Sequence, residues 1–130
     1  MYRRFAAFGL VALGLAWATA CARLQPPVAL EPGTAGPAVL SVTAENFSFR
    51  PNHIQAPRGT RLVLDVDNVS GTAHNVTVIS PGGVVMTSVE LPAGRVTRVE
   101  LPLAQVGDYP FYCAKPFHPA LGMRGVIRAR

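Results

Sequence analysis

The run Tyr112–Gly125, YCAKPFHPALGMRG, decides how this 130-residue chain is read. It places Cys113, His118 and Met123 within eleven residues, and His74 stands upstream in the run AHNVTV. One thiolate, two imidazoles and one thioether are soft or borderline donors. Hard cations such as Mg²⁺ and Ca²⁺ want oxygen ligands, so this set selects copper. Taken singly, each residue has a plainer role: Cys as a small buried hydrophobe, Met as core filler, His74 as a strand-end polar residue. Their order and spacing carry the reading.

The surrounding chain supports it. GDYPFYC reads as a strand that ends at Cys113, so the sheet would fix the thiolate. Tyr109, Phe111 and Cys113 share one face by the two-residue period and point inward, while Tyr112 points the other way. The next residues form a loop that doubles back to present His118 and then Met123. Pro116 and Pro119 stiffen it by fixing φ. Gly122 lets it turn tightly beside Met123. His74 comes from a separate strand and closes the group from the other side.

From Val39 onward, short runs rich in Val, Thr, Leu and aromatics alternate with turn signals at PRG, SGT, PGG, PAG and VGD. That pattern predicts an all-β sandwich over residues 39–130. The run Arg61–Asp67 alternates polar and apolar, as a sheet with one wet face requires. No stretch has helical periodicity, and there is no internal repeat. Phe47, Phe49 and Phe111 are expected in the core, and Met86 in packing. His53, among Pro51, Asn52 and Ile54, reads as a surface or turn residue without a partner.

These residues resemble the cupredoxins. Aromatic-x-aromatic-aromatic-Cys, then His, then Gly-Met-x-Gly is similar to that family's copper loop. FSFRPNHIQAPRGTRLVLDVDNVSGTAHNVTV, residues 47–78, is similar to the first half of the domain, with its Pro-x-x-Ile step, Gly turn, Asn-bearing loop and His-Asn pair. Four residues separate Cys113 from His118 and four more separate His118 from Met123. That spacing is similar to the auracyanin, rusticyanin and sulfocyanin group, whereas plastocyanins have a shorter first gap and azurins a shorter second one; the resemblance is to an auracyanin-like or plastocyanin-like small copper protein.

The resemblance implies a cupredoxin-like Greek-key β-sandwich holding one type 1 (blue) copper ion that cycles between Cu(I) and Cu(II). His74, Cys113, His118 and Met123 would be its ligands. It also implies that Asn75 ties the two ligand loops together, its backbone amide donating to the thiolate sulfur. The implied role is a monomeric single-electron carrier between a protein donor and a protein acceptor, docking near His118. The alternative is a protein that binds or delivers copper without redox turnover, and a plain β-sandwich interaction module stands behind it.

The first forty residues read differently. Arg3 and Arg4 precede an uncharged apolar run, Phe5–Ala20, that ends in the small-x-small step Ala18-Thr19-Ala20. That is the form of a signal peptide over residues 1–20. Sixteen apolar residues fall short of the roughly 20 that span a bilayer, so an uncleaved anchor is the second reading. Cys21 follows at once, and ATAC resembles a lipoprotein lipobox, with Ala18 where Leu is usual. Lipidation at Cys21 is favoured over simple cleavage, because a free terminal thiol beside copper in an oxidising compartment is a liability. A Cys21–Cys113 disulfide would consume the thiolate the metal needs.

Residues 22–38, rich in Pro, Ala and Gly, read as a tether. Fully extended at about 3.1 Å per residue, they would reach roughly 50 Å. The expected location is therefore the bacterial periplasm or the outer face of the cytoplasmic membrane.

Charge narrows the partners. Twelve basic residues, less Arg3 and Arg4 of the leader, leave ten against seven acidic ones, a mild positive balance. This favours an acidic partner or anionic surface. No basic stripe interleaved with aromatics points to nucleic acid. Four converging donors leave no open metal position, and no Ser/His/Asp or paired-carboxylate set appears, so an enzyme is not expected.

Overall fold

Apolar residues at every second position turn much of the chain into strands that bury one face, while the strand His74–Ile79 is buried on both. The computed structural model describes residues 23–31 and 36–130. The leader and Cys21 lie outside them. The described residues form ten strands: β1 (Val28–Ala29), β2 (Ala38–Glu45), β3 (Ser48–Arg50), β4 (His53–Ala56), β5 (Arg61–Asn68), β6 (His74–Ile79), β7 (Val85–Leu91), β8 (Arg95–Pro102), β9 (Gly107–Tyr112) and β10 (Arg124–Ala129). One sheet has the order β1-β4-β10-β9-β6-β7, and the other β3-β2-β5-β8. The expected all-β sandwich is what forms, and its first long strand begins at Ala38.

The core lies between the sheets. Leu62, Leu64 and Val66 of β5 face Tyr109, Phe111 and Ile127 across it, all buried. The wet face of β5 carries Arg61, Asp65 and Asp67, as the alternation predicts. Asp65 lies opposite Arg98 in the β5–β8 register, and the guanidinium donates two hydrogen bonds, of 2.8 and 3.0 Å, to its carboxylate. Exposed pairs of this kind contribute little stability.

Strand direction defines a metal end. β9 runs into Cys113, β10 starts after Met123, and β6 starts at His74. All four expected ligands therefore gather at one end of the sandwich.

Three expectations change. Residues 23–30, read as part of a free tether, lie along the edge of β4. Val28 and Ala29 pair in parallel with Ile54 and Gln55, and Leu30 N donates to Gln55 O at 2.8 Å. Pro26 and Pro27 suit an edge, where a missing N–H breaks no ladder. A two-residue strand is too short to show a period in sequence. His53 is likewise no bare turn residue: it opens β4, and its Nδ1 sits 3.2 Å from Gln25 O of the docked segment. Phe47 is not core, whereas Phe49 and Phe111 are, packed edge to face at 5.4 Å. Phe47 occupies the β2–β3 turn with φ 66°, which throws its ring outward.

Gly125 sits where β10 passes closest to its neighbours. A Cβ there would collide with the Phe111 ring and with the Asn52 carbonyl. Neither can retreat, since Phe111 is buried and Asn52 O accepts from Val126 N at 2.9 Å. Gly125→Ala is expected to cost about 1–3 kcal/mol through overpacking, read as a lowered denaturant midpoint.

Candidate metal centre

A buried asparagine shapes the approach to His74. Asn68, at the end of β5, donates to Thr72 O at 2.9 Å and Leu91 O at 2.8 Å. Its Oδ1 accepts from Ser70 N at 3.1 Å and Ser70 Oγ at 2.7 Å. Four bonds saturate the side chain and fold loop 69–73 so that β6 begins at His74. Within the sequence, only the short polar cluster N-x-S-x-T hinted at this role.

Asn75 joins this strand to the loop. Its Oδ1 accepts from Ala114 N at 2.8 Å and from Thr77 Oγ1 at 3.1 Å, and its Nδ2 donates to Ser88 Oγ at 2.9 Å. The side chain thus holds the residue after Cys113 against the residue after His74. Thr77 and Ser88, 2.8 Å apart and not singled out by sequence, complete the network. Lys115 adds an exposed ion pair to Glu90 of β7 at 2.7 Å.

The loop closes on itself through the main chain. Cys113 N donates to Met123 O, and Met123 N to His118 O, both at 3.0 Å. Gly122 takes φ 111°, the turn expected beside Met123. His118 N donates to Lys115 O at 3.2 Å, and Leu121 N to Phe117 O at 3.0 Å. The backbones of Cys113, His118 and Met123 are therefore bonded to one another.

The side chains converge inside this frame. His74 Nδ1 and His118 Nδ1 lie 3.2 Å apart, and Cys113 Sγ is 3.4 Å from His118 Nδ1. One nitrogen or sulfur of each residue falls within 4.8 Å of the others. His74, Cys113 and Met123 are fully buried, and Met123 packs in the same core cluster as Cys113. His118 is half-buried, with its ring 5.0 Å from Phe47, edge to face. Cys113 is a free thiol, so no disulfide occupies it.

Three facing donor atoms at these separations fit a metal. Two imidazole nitrogens 3.2 Å apart are within joint reach of one ion at ordinary bond lengths of about 2.0–2.1 Å. Without an ion, at most one of the two facing nitrogens can carry a proton toward the other. Burial pushes the His74 ring below its ordinary value of 6.5, and the charges of His118 and Lys115 push the same way. A ring kept neutral is a ring ready to bind metal.

Phe117 takes φ 66°, as Phe47 does. These are the two non-glycine residues with positive φ among those described; Phe117 precedes His118 in the chain, and Phe47 packs against its ring. For a bulky residue this conformation costs about 1–3 kcal/mol and persists where surrounding structure enforces it.

The profile of the cupredoxin-like domain family matches residues 7–128. Among solved structures, reduced auracyanin from the photosynthetic bacterium Roseiflexus castenholzii is 18% identical, with a TM-score of 0.63, over 75% of this chain and 99% of that one. Auracyanin A, a "blue" copper protein from the green thermophilic Chloroflexus aurantiacus, is 15% identical, with a TM-score of 0.64, over 73% and 100%. The metal-binding domain of a Cu(I)-exporting P-type ATPase of Streptococcus pneumoniae D39, with Cu(I), is 13% identical, with a TM-score of 0.61, over 81% and 96%. At these identities the likeness is one of fold. No curated protein sequence matches the chain. The cluster of His74, Cys113, His118 and Met123 fits a single type 1 copper site.

Two outcomes test this frame. In the copper-free protein, the lowered His74 pKa means that the unfolded chain binds more protons below pH 6.5. Stability is then full above about that pH and falls as pH drops toward the folded value, a loss that melting curves between pH 7 and 5 would show. Asn75→Leu leaves Ala114 N–H without its acceptor and is expected to cost about 1–3 kcal/mol in chemical unfolding.

Proposed function

The chain belongs to the cupredoxin family, and on that premise we propose that it carries single electrons between redox proteins, using one copper ion held by His74, Cys113, His118 and Met123. The observation that carries this reading is the buried convergence of two imidazole nitrogens and one thiol sulfur on a backbone-locked loop. Copper supplies a one-electron store, cycling between Cu(I) and Cu(II).

The protein's part is to keep the donors still. Cys113 is fixed by β9 and by its bond to Met123 O, His74 by β6 and the Asn68 loop, and His118 by the turn from Lys115 to Gly122. A frame that does not relax between oxidation states keeps the cost of each transfer low. Met123 would hold the metal through a thioether sulfur in a dry, packed setting, which would bear on the potential. Four donors leave no position for a substrate, which favours a carrier over an enzyme.

His118 is the route out. It is the one half-buried member of the set; Phe47 packs against its ring, and Phe117 (80% exposed) and Leu121 are exposed in the same loop. An apolar rim of this kind suits close, short-lived contact with a protein donor or acceptor. The carrier would work as a monomer. It would be exported and attached through an acylated Cys21 to the outer face of the cytoplasmic membrane.

The decisive test is the visible spectrum of the protein with Cu(II). An intense thiolate-to-copper band, bleached by ascorbate and restored by an oxidant over repeated cycles, is expected. A colourless folded protein, or one that loses copper on reduction, would move the reading to copper delivery. Cys113→Ser should abolish the band, and its survival would refute the site. Met123→Leu should keep the band and raise the reduction potential in voltammetry; a lowered potential would show that the axial assignment is wrong.

A further inference from the structure

The chain enters the domain at its metal end. β1 is parallel to β4, with Val28 beside Ile54, and β4 is parallel to β10, with Ile54 beside Ile127. β10 starts at Arg124, directly after Met123. All three strands therefore run away from the metal end, and tracing β1 back toward its start leads toward that end.

Side chains pin this path. Asn52, buried, accepts from Gln25 N at 2.8 Å through its Oδ1 and donates to Arg23 O at 3.2 Å through its Nδ2. His53 Nδ1 sits 3.2 Å from Gln25 O. Asn52 O in turn accepts from Val126 N at 2.9 Å, which fixes Asn52 level with Gly125. The next row of the sheet pairs Arg124 with Tyr112, the residues beside Met123 and Cys113. Across the sheet, β1 lies three strand spacings from β9, roughly 14 Å.

Cys21 lies two residues before Arg23, a reach of about 7 Å at most. We propose that the membrane to which Cys21 fixes this chain faces the metal end, so that the His118 rim is held beside the lipid surface instead of swinging on a long tether. The proposal rests on the reading that the chain is anchored at or just before Cys21. The end that would face the bilayer carries what such a position suits: Phe117 and Leu121 exposed at the tip, and the exposed cations Arg23 and Arg124. A redox partner using His118 must then present its own group close to the headgroup plane.

Depth-sensitive quenching tests this. The full chain, with Trp17→Phe to remove its one tryptophan, is exported with its own leader and reconstituted from membranes into vesicles of brominated phosphatidylcholine. Tryptophan is then introduced either at the metal end, by Phe117→Trp, or at the opposite end just before β9, by Val106→Trp. Both positions are exposed, and circular dichroism confirms the fold of each variant. Bromolipid quenching is expected to be several-fold stronger at position 117 than at 106, with the metal state held the same.

A flexible Gly/Ser insert of about twenty residues between Ala22 and Arg23, spanning roughly 25 Å, should erase the difference. Equal quenching at the two positions, or stronger quenching at 106, would overturn the orientation; a difference that survives the insert would overturn the short link to Cys21 as its cause. Intact mass separates this from failure of the underlying reading: recovery in the soluble fraction, with the leader removed and Cys21 unacylated, would overturn the anchoring and the orientation with it.

Discussion

The hydrogen bond from Ala114 N to Asn75 Oδ1, 2.8 Å long, ties the two halves of the site together. His74 belongs to β6 and the other three donors to the loop between β9 and β10. Direct ladder pairing of β6 with β9 is confined to Thr77–Tyr112 and Val78–Phe111, and it stops one residue before Cys113 and three residues from His74. Beyond that point the strands separate to make room for the side chains. Asn75 bridges the gap with a side chain where the backbone no longer can. Thr77 and Ser88 hold its amide in place, so the bridge has one geometry.

The same logic runs through the loop. A metal that changes charge by one unit favours a site that does not rearrange, and small movement is obtained by removing freedom before the metal arrives. Main-chain bonds join Cys113, Met123 and His118 to one another, and Asn68 does the same for the approach to His74. Phe47 and Phe117, which adjoin His118, hold unfavourable backbone angles. That strain sits beside the one donor that is only half-buried.

Much of the site was legible in the sequence because its information is local. Cys113, His118 and Met123 lie in one loop, and His74 is marked by Asn75 and by a strand that begins there. The inward face of Tyr109 and Phe111 followed from the period of two, and the fold class from strand runs and turn residues. Phe47 was misread because it shares a two-residue period with Phe49. A turn with positive φ breaks that period, and no residue type announces such a turn when the residue is Phe. His53 and residues 23–30 were misread together. Each is the other's partner across nearly thirty positions, and neither has a pattern of its own.

By itself the sequence determined the chemistry of the donors, their order and the all-β class. These depend on residue type and on spacing along the chain, which folding does not change. Only the tertiary structure decided that His74 meets His118 at 3.2 Å, that Asn68, Thr77 and Ser88 hold the frame, and that the N-terminal segment docks on β4 pointing back toward the metal end. Those are contacts between residues far apart in sequence. The docking and the polar frame exist because the open edge of β4 and three buried asparagines, Asn52, Asn68 and Asn75, had groups to satisfy, a demand that appears only once the sheets have formed.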